Sequence, residues 1–142
     1  YLGWFLKDWS LVNNGSYSIA RGLKIREDTV ENTGDLYGIT SLDEDWVTLN
    51  QLIKYYKFGF GRVTDYVNEG IRHGDMTRSY GIELVSNYDD ACSKEYIESF
   101  CDYIKISQIE FWDKVYSSVN PRLFNINQGN TIQPKFRVGI GI

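Results

Sequence analysis

The chain has 142 residues and carries 15 Lys and Arg against 19 Asp and Glu, for a net charge of −4. This length suits one domain with a hydrophobic core of its own. The acidic balance argues against nucleic acid as a partner, because proteins that bind it carry a basic patch. The sequence has no apolar run of about 18 residues, so insertion into a membrane is not expected.

The cysteines and the histidine form no pattern typical of a metal site. Cys92, Cys101 and His73 are too few and too scattered for a zinc centre, so no metal ligands are predicted. Isolated thiols in an acidic chain are typical of a reducing compartment, which predicts a cytoplasmic protein. The first residues include neither an initiator Met nor the basic start of a signal peptide.

The first 42 residues predict one strand, one helix and an irregular connection. Residues 1–6 form a short aromatic run, YLGWFL, typical of a buried strand that enters in mid-fold. Residues 10–22 favour a helix that a glycine ends. Residues 24–42 mix charged residues, Thr, Gly and Asn without a period, which predicts a loop with room for one short strand.

Residues 43–120 carry a clear helical period, with apolar residues at every third or fourth position. The residues expected to begin or end these helices are Asp43 or Asp45, Gly59, Gly74, Asp75 or Thr77, Ser93, the capping box Ser107–Glu110, and Asn120 before Pro121. The residues expected to face inward are Trp46, Leu49, Leu52, Ile53, Tyr56, Val63, Val67, Ile71, Tyr80, Leu84, Val85, Tyr88, Tyr96, Ile97, Phe100, Cys101, Ile104, Trp112, Val115, Tyr116 and Val119.

These patterns together predict a mainly α protein of about five helices, with a short N-terminal strand and an extended C-terminal tail. Three segments follow from them. Residues 1–42 connect to the helical domain, residues 43–120 form it, and residues 121–142 form the tail, where Gly and Pro interrupt a weak alternation.

The most distinctive local feature is the glycine-flanked turn in KYYKFGFGR, residues 54–62. Gly59 and Gly61 can take backbone conformations closed to other residues and allow a ligand close to the main chain. Arg62 follows directly, and its planar fork can bind carboxylate or phosphate at two points. The pattern indicates an anion site between two helices. A plain glycine turn with solvated arginines is the alternative reading.

The amino-acid sequence of this region resembles that of the N-acetyl sugar amidotransferases. The run KFGFGRVTDYVNEGIRHGDMTRSYGIELVSNYD, residues 57–89, resembles the C-terminal part of these enzymes, and the resemblance continues through residues 96–124. It extends more loosely to residues 1–9. The family belongs to bacterial surface-polysaccharide synthesis, including O-antigen lipopolysaccharide and nonulosonic acids such as pseudaminic acid. The resemblance implies an ATP-dependent transferase that turns a sugar acetamido group into an acetamidino group.

The resemblance also implies parts that the sequence does not contain. Family members carry an N-terminal nucleotide domain of the PP-loop type, with a Ser-Gly-Gly phosphate loop and a cysteine-based zinc site. We therefore expect a C-terminal piece of such an enzyme, or one half of a split enzyme, inactive alone. ATP and Mg²⁺ would serve the intact enzyme, and zinc would belong to the N-terminal part. Ammonia would come from a glutaminase partner through a barrel-type channel subunit, for use on an acetamido-sugar substrate.

Seven residues match the family motif and are predicted to bind substrate or phosphate: Lys57, Gly59, Gly61, Arg62, Asp65, Arg72 and Arg78. A salt bridge from Arg62 to Asp65 or Glu69 would be the structural alternative. For Arg72, the alternative is that the helix dipole favours a cation in the last turn of a helix, without any ligand. Catalytic residues are not assigned. A non-catalytic helical protein-interaction module is the alternative function.

Overall fold

The computed structural model describes residues 5–6 and 9–141, and among them it is mainly helical, as predicted. Its elements are α1 (Leu11–Ile19), α2 (Val30–Thr33), α3 (Val47–Phe58), α4 (Arg62–His73), α5 (Arg78–Tyr88), α6 (Lys94–Ile104), α7 (Gln108–Ser118), β1 (Phe124–Ile126) and β2 (Ile132–Pro134). The short α2 lies where the sequence predicted a loop, because its four residues are too few to carry a helical period.

Most of the predicted helix boundaries are confirmed, including Gly59 at the end of α3 and Ser93 at the start of α6. Gly74 ends α4 in the left-handed conformation, at a φ of 84°. Thr77 caps α5 by accepting a hydrogen bond from the Tyr80 amide. Ser107 and Glu110 form both bonds of the predicted capping box at the start of α7. These signals are local, so a short stretch of sequence is enough to predict them.

The predicted cap of α3 is wrong. Trp46 stands at the cap position and makes no side-chain capping bond. The Asp45 carboxylate instead pairs with the Arg26 guanidinium at 2.5 Å, and a Glu44 oxygen accepts from the Trp46 amide at 2.8 Å. An ion pair with a residue 19 positions away therefore uses the carboxylate that the sequence assigned to the helix end.

The predicted N-terminal strand falls mostly on residues 1–4, which lie outside the described residues. Its last two residues, Phe5 and Leu6, are 85% and 52% exposed and belong to no strand, so they contradict a buried strand. Two inward predictions in the helices are also wrong, because Tyr80 and Ile104 are 53% and 42% exposed.

The hydrophobic core lies between α3, α6 and α7. Its fully buried members are Leu49, Leu52, Ile97, Cys101, Phe111 and Val115. Outside this core, α4 and α5 pack closely against each other because Gly81 on α5 has no side chain. A Cβ there would lie 2.5 Å from the Val67 side chain. The glycine thus lets the two helices that follow the turn lie against one another.

The tail folds back as a β-hairpin, with β1 antiparallel to β2 and Phe124 opposite Pro134. Phe124 is 2% exposed, and its ring lies 5.2 Å from that of Tyr55 and 5.6 Å from that of Phe136. The tail contains two short strands, and it completes an aromatic cluster against α3. Contacts therefore cross the predicted boundary at residue 121.

Candidate functional site

The turn between α3 and α4 has the backbone that its glycines predict. Gly59 ends α3 at a φ of 80°, and its amide donates to the Tyr55 carbonyl at 2.7 Å. A residue with a side chain would be strained at this φ. Two aromatic side chains of the turn face solvent: Phe58 is 61% exposed and Phe60 is 40% exposed. Their ring centroids are 6.3 Å apart.

An anion does lie at the amino end of α4, and it belongs to the protein itself. The Asp89 carboxylate accepts from the Gly61 amide at 2.9 Å and from the Thr64 amide at 2.8 Å. It also accepts from the Thr64 hydroxyl at 2.6 Å. A carboxylate suits the positive end of a helix. A Cβ on Gly61 would lie 2.1 Å from the Asp89 carbonyl oxygen, so this glycine serves the contact with Asp89.

Arg62 points into the protein and forms a buried ion pair. Its side chain is 7% exposed, and Nη2 lies 2.9 Å from Oδ2 of Asp35, itself 1% exposed. Arg62 Nε donates to the Tyr66 hydroxyl at 3.0 Å, and Nη2 donates to the Thr40 carbonyl at 3.2 Å and to the Thr40 hydroxyl. Arg62 thus pairs with Asp35. The structural alternative expected Asp65 or Glu69 as its partner, and this expectation is wrong.

Asp35 and Tyr66 complete this buried network. Asp35 Oδ1 accepts from the amides of Tyr37 and Gly38, at 3.1 and 2.9 Å, and from the Tyr66 hydroxyl at 3.1 Å. Burial raises the pKa of Tyr66 above its usual value, which favours the protonated hydroxyl that donates to Asp35. The network joins the loop after α2 to α4, and it gives Arg62 a role in holding these segments together.

Three further predicted site residues lie apart from this network. Asp65 pairs with Lys54 at 2.5 Å, across the turn between α3 and α4. Lys57 and Arg72 are exposed, on α3 and in the last turn of α4. The seven predicted residues therefore do not converge on one point.

Gly59 and Arg78 do come together, along a groove that the tail completes. The groove is open to solvent and has a volume of about 470 Å³ between the α3–α4 turn, α5 and the end of the tail. Arg78 Nη2 donates to the Gly139 carbonyl at 3.2 Å, which fixes the tail against α5. A second cavity of about 210 Å³ adjoins the groove and runs between α4 and α5. The groove is the candidate site because two of the seven predicted residues, Gly59 and Arg78, line it.

Sequence reasoning missed four residues of these sites. Asp35 is the buried partner of Arg62, and Asp89 accepts hydrogen bonds at the amino end of α4. Phe136 and Arg137 line the groove. Asp89 stands inside the run that resembles the amidotransferases, so it could have been found as a partner for the glycine turn. No local pattern singled out the other three.

Neither a metal centre nor a membrane span emerges from the described residues. Over residues 5–6 and 9–141, no group of three or more His, Cys, Asp and Glu side chains could hold a metal ion. The helices in this part of the chain are too short or too polar to cross a bilayer.

A family model described as "LPS biosynthesis protein WbpG-like, C-terminal domain" matches residues 19–137. The matched range includes the α3–α4 turn, the buried ion pair and both arginines of the groove. No curated protein matches the chain. The family match confirms the resemblance to the C-terminal part of a surface-polysaccharide biosynthesis protein.

Proposed function

The chain belongs to the family of WbpG-like C-terminal domains of lipopolysaccharide biosynthesis, and we propose that it is the acceptor-sugar domain of an N-acetyl sugar amidotransferase. In this proposal the intact enzyme acts in the cytoplasm and replaces the oxygen of a sugar acetamido group by nitrogen. The observation that carries the proposal is the family match over residues 19–137, which extends from the end of α1 to the groove.

Within that reaction the chain's own residues would hold the sugar and keep water away from the reacting amide. The groove beside Gly59 supports this role, since it is concave, partly aromatic and of a size typical of small-ligand sites. The buried pair of Arg62 and Asp35 supports it indirectly. It ties the loop after α2 to the start of α4, and so fixes the turn that forms one wall of the groove.

A phosphate group does not fit the amino end of α4, although the sequence predicts an anion site there. The Asp89 carboxylate already fills the amino end of α4, and it would repel a second anion there. We propose that ATP and Mg²⁺ bind instead in the nucleotide domain that the amidotransferase resemblance implies. Ammonia would reach the reaction from a glutaminase and a channel subunit.

The test is amidine formation by the intact enzyme. The enzyme, with its glutaminase partner, is incubated with glutamine, ATP, Mg²⁺ and a panel of acetamido-sugar phosphates, and mass spectrometry follows exchange of the amide oxygen for NH. We expect conversion that depends on ATP and on a nitrogen source. If every sugar in the panel returns unchanged while the folded enzyme still binds ATP, the amidotransferase proposal is wrong.

A protein-interaction module is the second candidate, favoured by exposed apolar residues that do not line the groove. Tyr103 and Ile109 are 69% and 76% exposed on α6 and α7. Size-exclusion chromatography of the chain with the glutaminase and channel subunits tests this reading. If the chain co-elutes with these subunits and Ile109→Asp abolishes the co-elution, the result supports docking through the exposed residues of α6 and α7. The groove would then be the only support for a sugar-binding role.

A further inference from the structure

We infer that the groove between the α3–α4 turn, α5 and the tail binds a sugar that carries an oxyanion, with Arg78 and Arg137 as its anion ligands. The groove is defined by its lining residues: Phe58, Gly59, Phe60, Thr64, Arg78, Val85, Leu123, Phe136, Arg137, Val138, Gly139, Ile140 and Gly141. The inference rests on the proposed function only for the acetamido group of the sugar, since charge and shape argue for the rest.

Charge is the first argument. The chain carries 19 Asp and Glu against 15 Lys and Arg, yet no carboxylate is among the described residues that line the groove or the cavity beside it. Both of the charged residues that do line the groove are arginines. An acidic protein that keeps carboxylates out of one concave site and places two guanidinium groups there is suited to bind an anion.

The arginines have donors to spare. Within residues 5–6 and 9–141, the Arg78 guanidinium makes one hydrogen bond, to the Gly139 carbonyl at 3.2 Å. The Arg137 guanidinium has no partner among the same residues, while its main chain closes a turn with Gly141. Each guanidinium can therefore offer its remaining N–H groups to the oxygens of a phosphate or a carboxylate.

The aromatic wall argues for a sugar on that anion. Phe58 and Phe60 are 61% and 40% exposed, although burial of a Phe side chain is favourable. The C–H faces of a pyranose can cover such rings while its hydroxyl groups stay in water. Two arginines in a concave groove are also too few for a membrane surface, whose recognition takes a cluster of about four to eight basic residues.

The wall formed by the tail is held in place by a glycine. Gly139 has a φ of 81°, and a Cβ at this position would lie 2.5 Å from the Ile82 side chain on α5. The tail therefore lies directly on α5, which brings Arg137 to the same groove as Arg78. Gly139→Ala should move this wall and weaken ligand binding, although both arginine side chains are kept.

The experiment is calorimetric titration of the chain with four probes: N-acetylglucosamine 1-phosphate, glucuronic acid, N-acetylglucosamine and inorganic phosphate. We expect at least one of the two anionic sugars to bind, with an affinity that falls as salt rises, and the neutral sugar and inorganic phosphate to bind more weakly. The 1-phosphate and the uronic acid separate phosphate from carboxylate as the preferred anion. Equal affinity for inorganic phosphate and for the sugar phosphate would overturn the sugar part of the inference.

Variants test the residues. Arg137→Gln and Arg78→Gln should each weaken binding of the preferred sugar by about 10- to 100-fold, as expected for the loss of a charge-assisted hydrogen bond. Arg72→Gln is the matched control, because Arg72 is an exposed arginine of α4 that does not line the groove, and it should bind normally. Thermal melts confirm that the variants fold. If Arg72→Gln weakens binding as much as the other two, the groove is not the site.

The same variants in the intact enzyme separate this inference from the proposed function. Amidine formation that is unaffected by Arg78→Gln and Arg137→Gln would leave the amidotransferase proposal standing and overturn the site. Anionic sugars that bind through both arginines, in an enzyme that makes no amidine, would overturn the reaction and support the site.

Discussion

The amide of Gly61 donates to the carboxylate of Asp89 across 28 positions of sequence, at a distance of 2.9 Å. This bond joins the start of α4 to the end of α5. It explains why a glycine precedes Arg62, since any side chain would meet the Asp89 main chain. It also means that the anion expected at this turn is a structural carboxylate, which displaces the candidate ligand site to the groove beside Gly59.

Gly61→Ala should therefore destabilise the fold. The new Cβ would lie 2.1 Å from the Asp89 carbonyl oxygen, and relieving that clash must shift α4 or α5, at a cost of about 1–3 kcal/mol or more. Urea melts measure the change. Gly129→Ala is the control, since its nearest neighbour would be the Thr131 hydroxyl at 4.0 Å, and it should stay within about 0.5 kcal/mol of the parent chain. Equal effects of the two variants would contradict the clash.

Phe124→Ala should cost about 3–5 kcal/mol, the usual range for truncating a fully buried Phe. Phe124 is 2% exposed and contacts both Tyr55 and Phe136. Ile126→Ala, on the same strand but 43% exposed, should cost less than about 1 kcal/mol. Guanidinium melts followed by tryptophan fluorescence compare them. A small loss for Phe124→Ala would mean that the tail is an independent arm, as the sequence alone allowed.

The helices could be predicted because their signals lie within a few residues of one another. Gly74, Thr77 and the Ser107–Glu110 box act on their own turns, and the apolar period of α3 and α6 identifies the buried core. Contacts between distant segments leave no such pattern. Asp35 reads as one acid in an irregular loop, and only the fold brings it to Arg62.

The groove escaped prediction for the same reason. Arg78 was a candidate because it matches the amidotransferase motif, but its partners Phe136 and Arg137 come from a tail whose alternation is weak. They reach the groove only because the hairpin of β1 and β2 turns the chain back onto α3. Trp46 illustrates the opposite case, where a strong local cap signal from Asp45 was overridden by an ion pair with Arg26.

Alkaline pH should weaken the fold through two tyrosines of α3, Tyr55 and Tyr56. Burial, followed by the charges of nearby Asp90, raises the pKa of Tyr55 and Tyr56 above 10.0. The folded state then keeps protons that the unfolded chain releases, so their contribution to stability is full below pH 10 and is lost as pH rises above it. The slope is at most about 1.4 kcal/mol per pH unit for each tyrosine.

Urea midpoints measured between neutral pH and strongly alkaline pH test this expectation. Tyr55→Phe and Tyr56→Phe should each flatten the fall above pH 10, where a phenol can no longer ionise. Tyr103→Phe is the matched control, since Tyr103 is 69% exposed, and it should leave the slope as in the parent chain. A slope that none of the three variants changes would assign the alkaline loss to other groups.

Arg62→Met and Asp35→Leu should each destabilise the protein by about 3–5 kcal/mol, because each leaves a buried charge without its partner. The double variant should lose clearly less than the sum, with a coupling free energy of at least about 1 kcal/mol. Arg62→Lys should also lose stability, since an ammonium group cannot reproduce the fork that contacts Asp35, Tyr66 and Thr40. Arg72→Met, at an exposed arginine of the same helix, is the control and should stay within about 0.5 kcal/mol.

The double-variant cycle also decides between a structural and a ligand-binding role for Arg62. Sequence reasoning placed this residue on the substrate, which predicts that Arg62→Met folds normally and loses amidine formation. The buried pair predicts instead that Arg62→Met lowers the free energy of unfolding, and that activity falls because the protein is less stable. Urea melts and sugar titrations on the same samples separate the two. If Arg62→Met leaves the urea melt unchanged and abolishes sugar binding, Arg62 binds the ligand. The proposed binding site would then have to include Arg62.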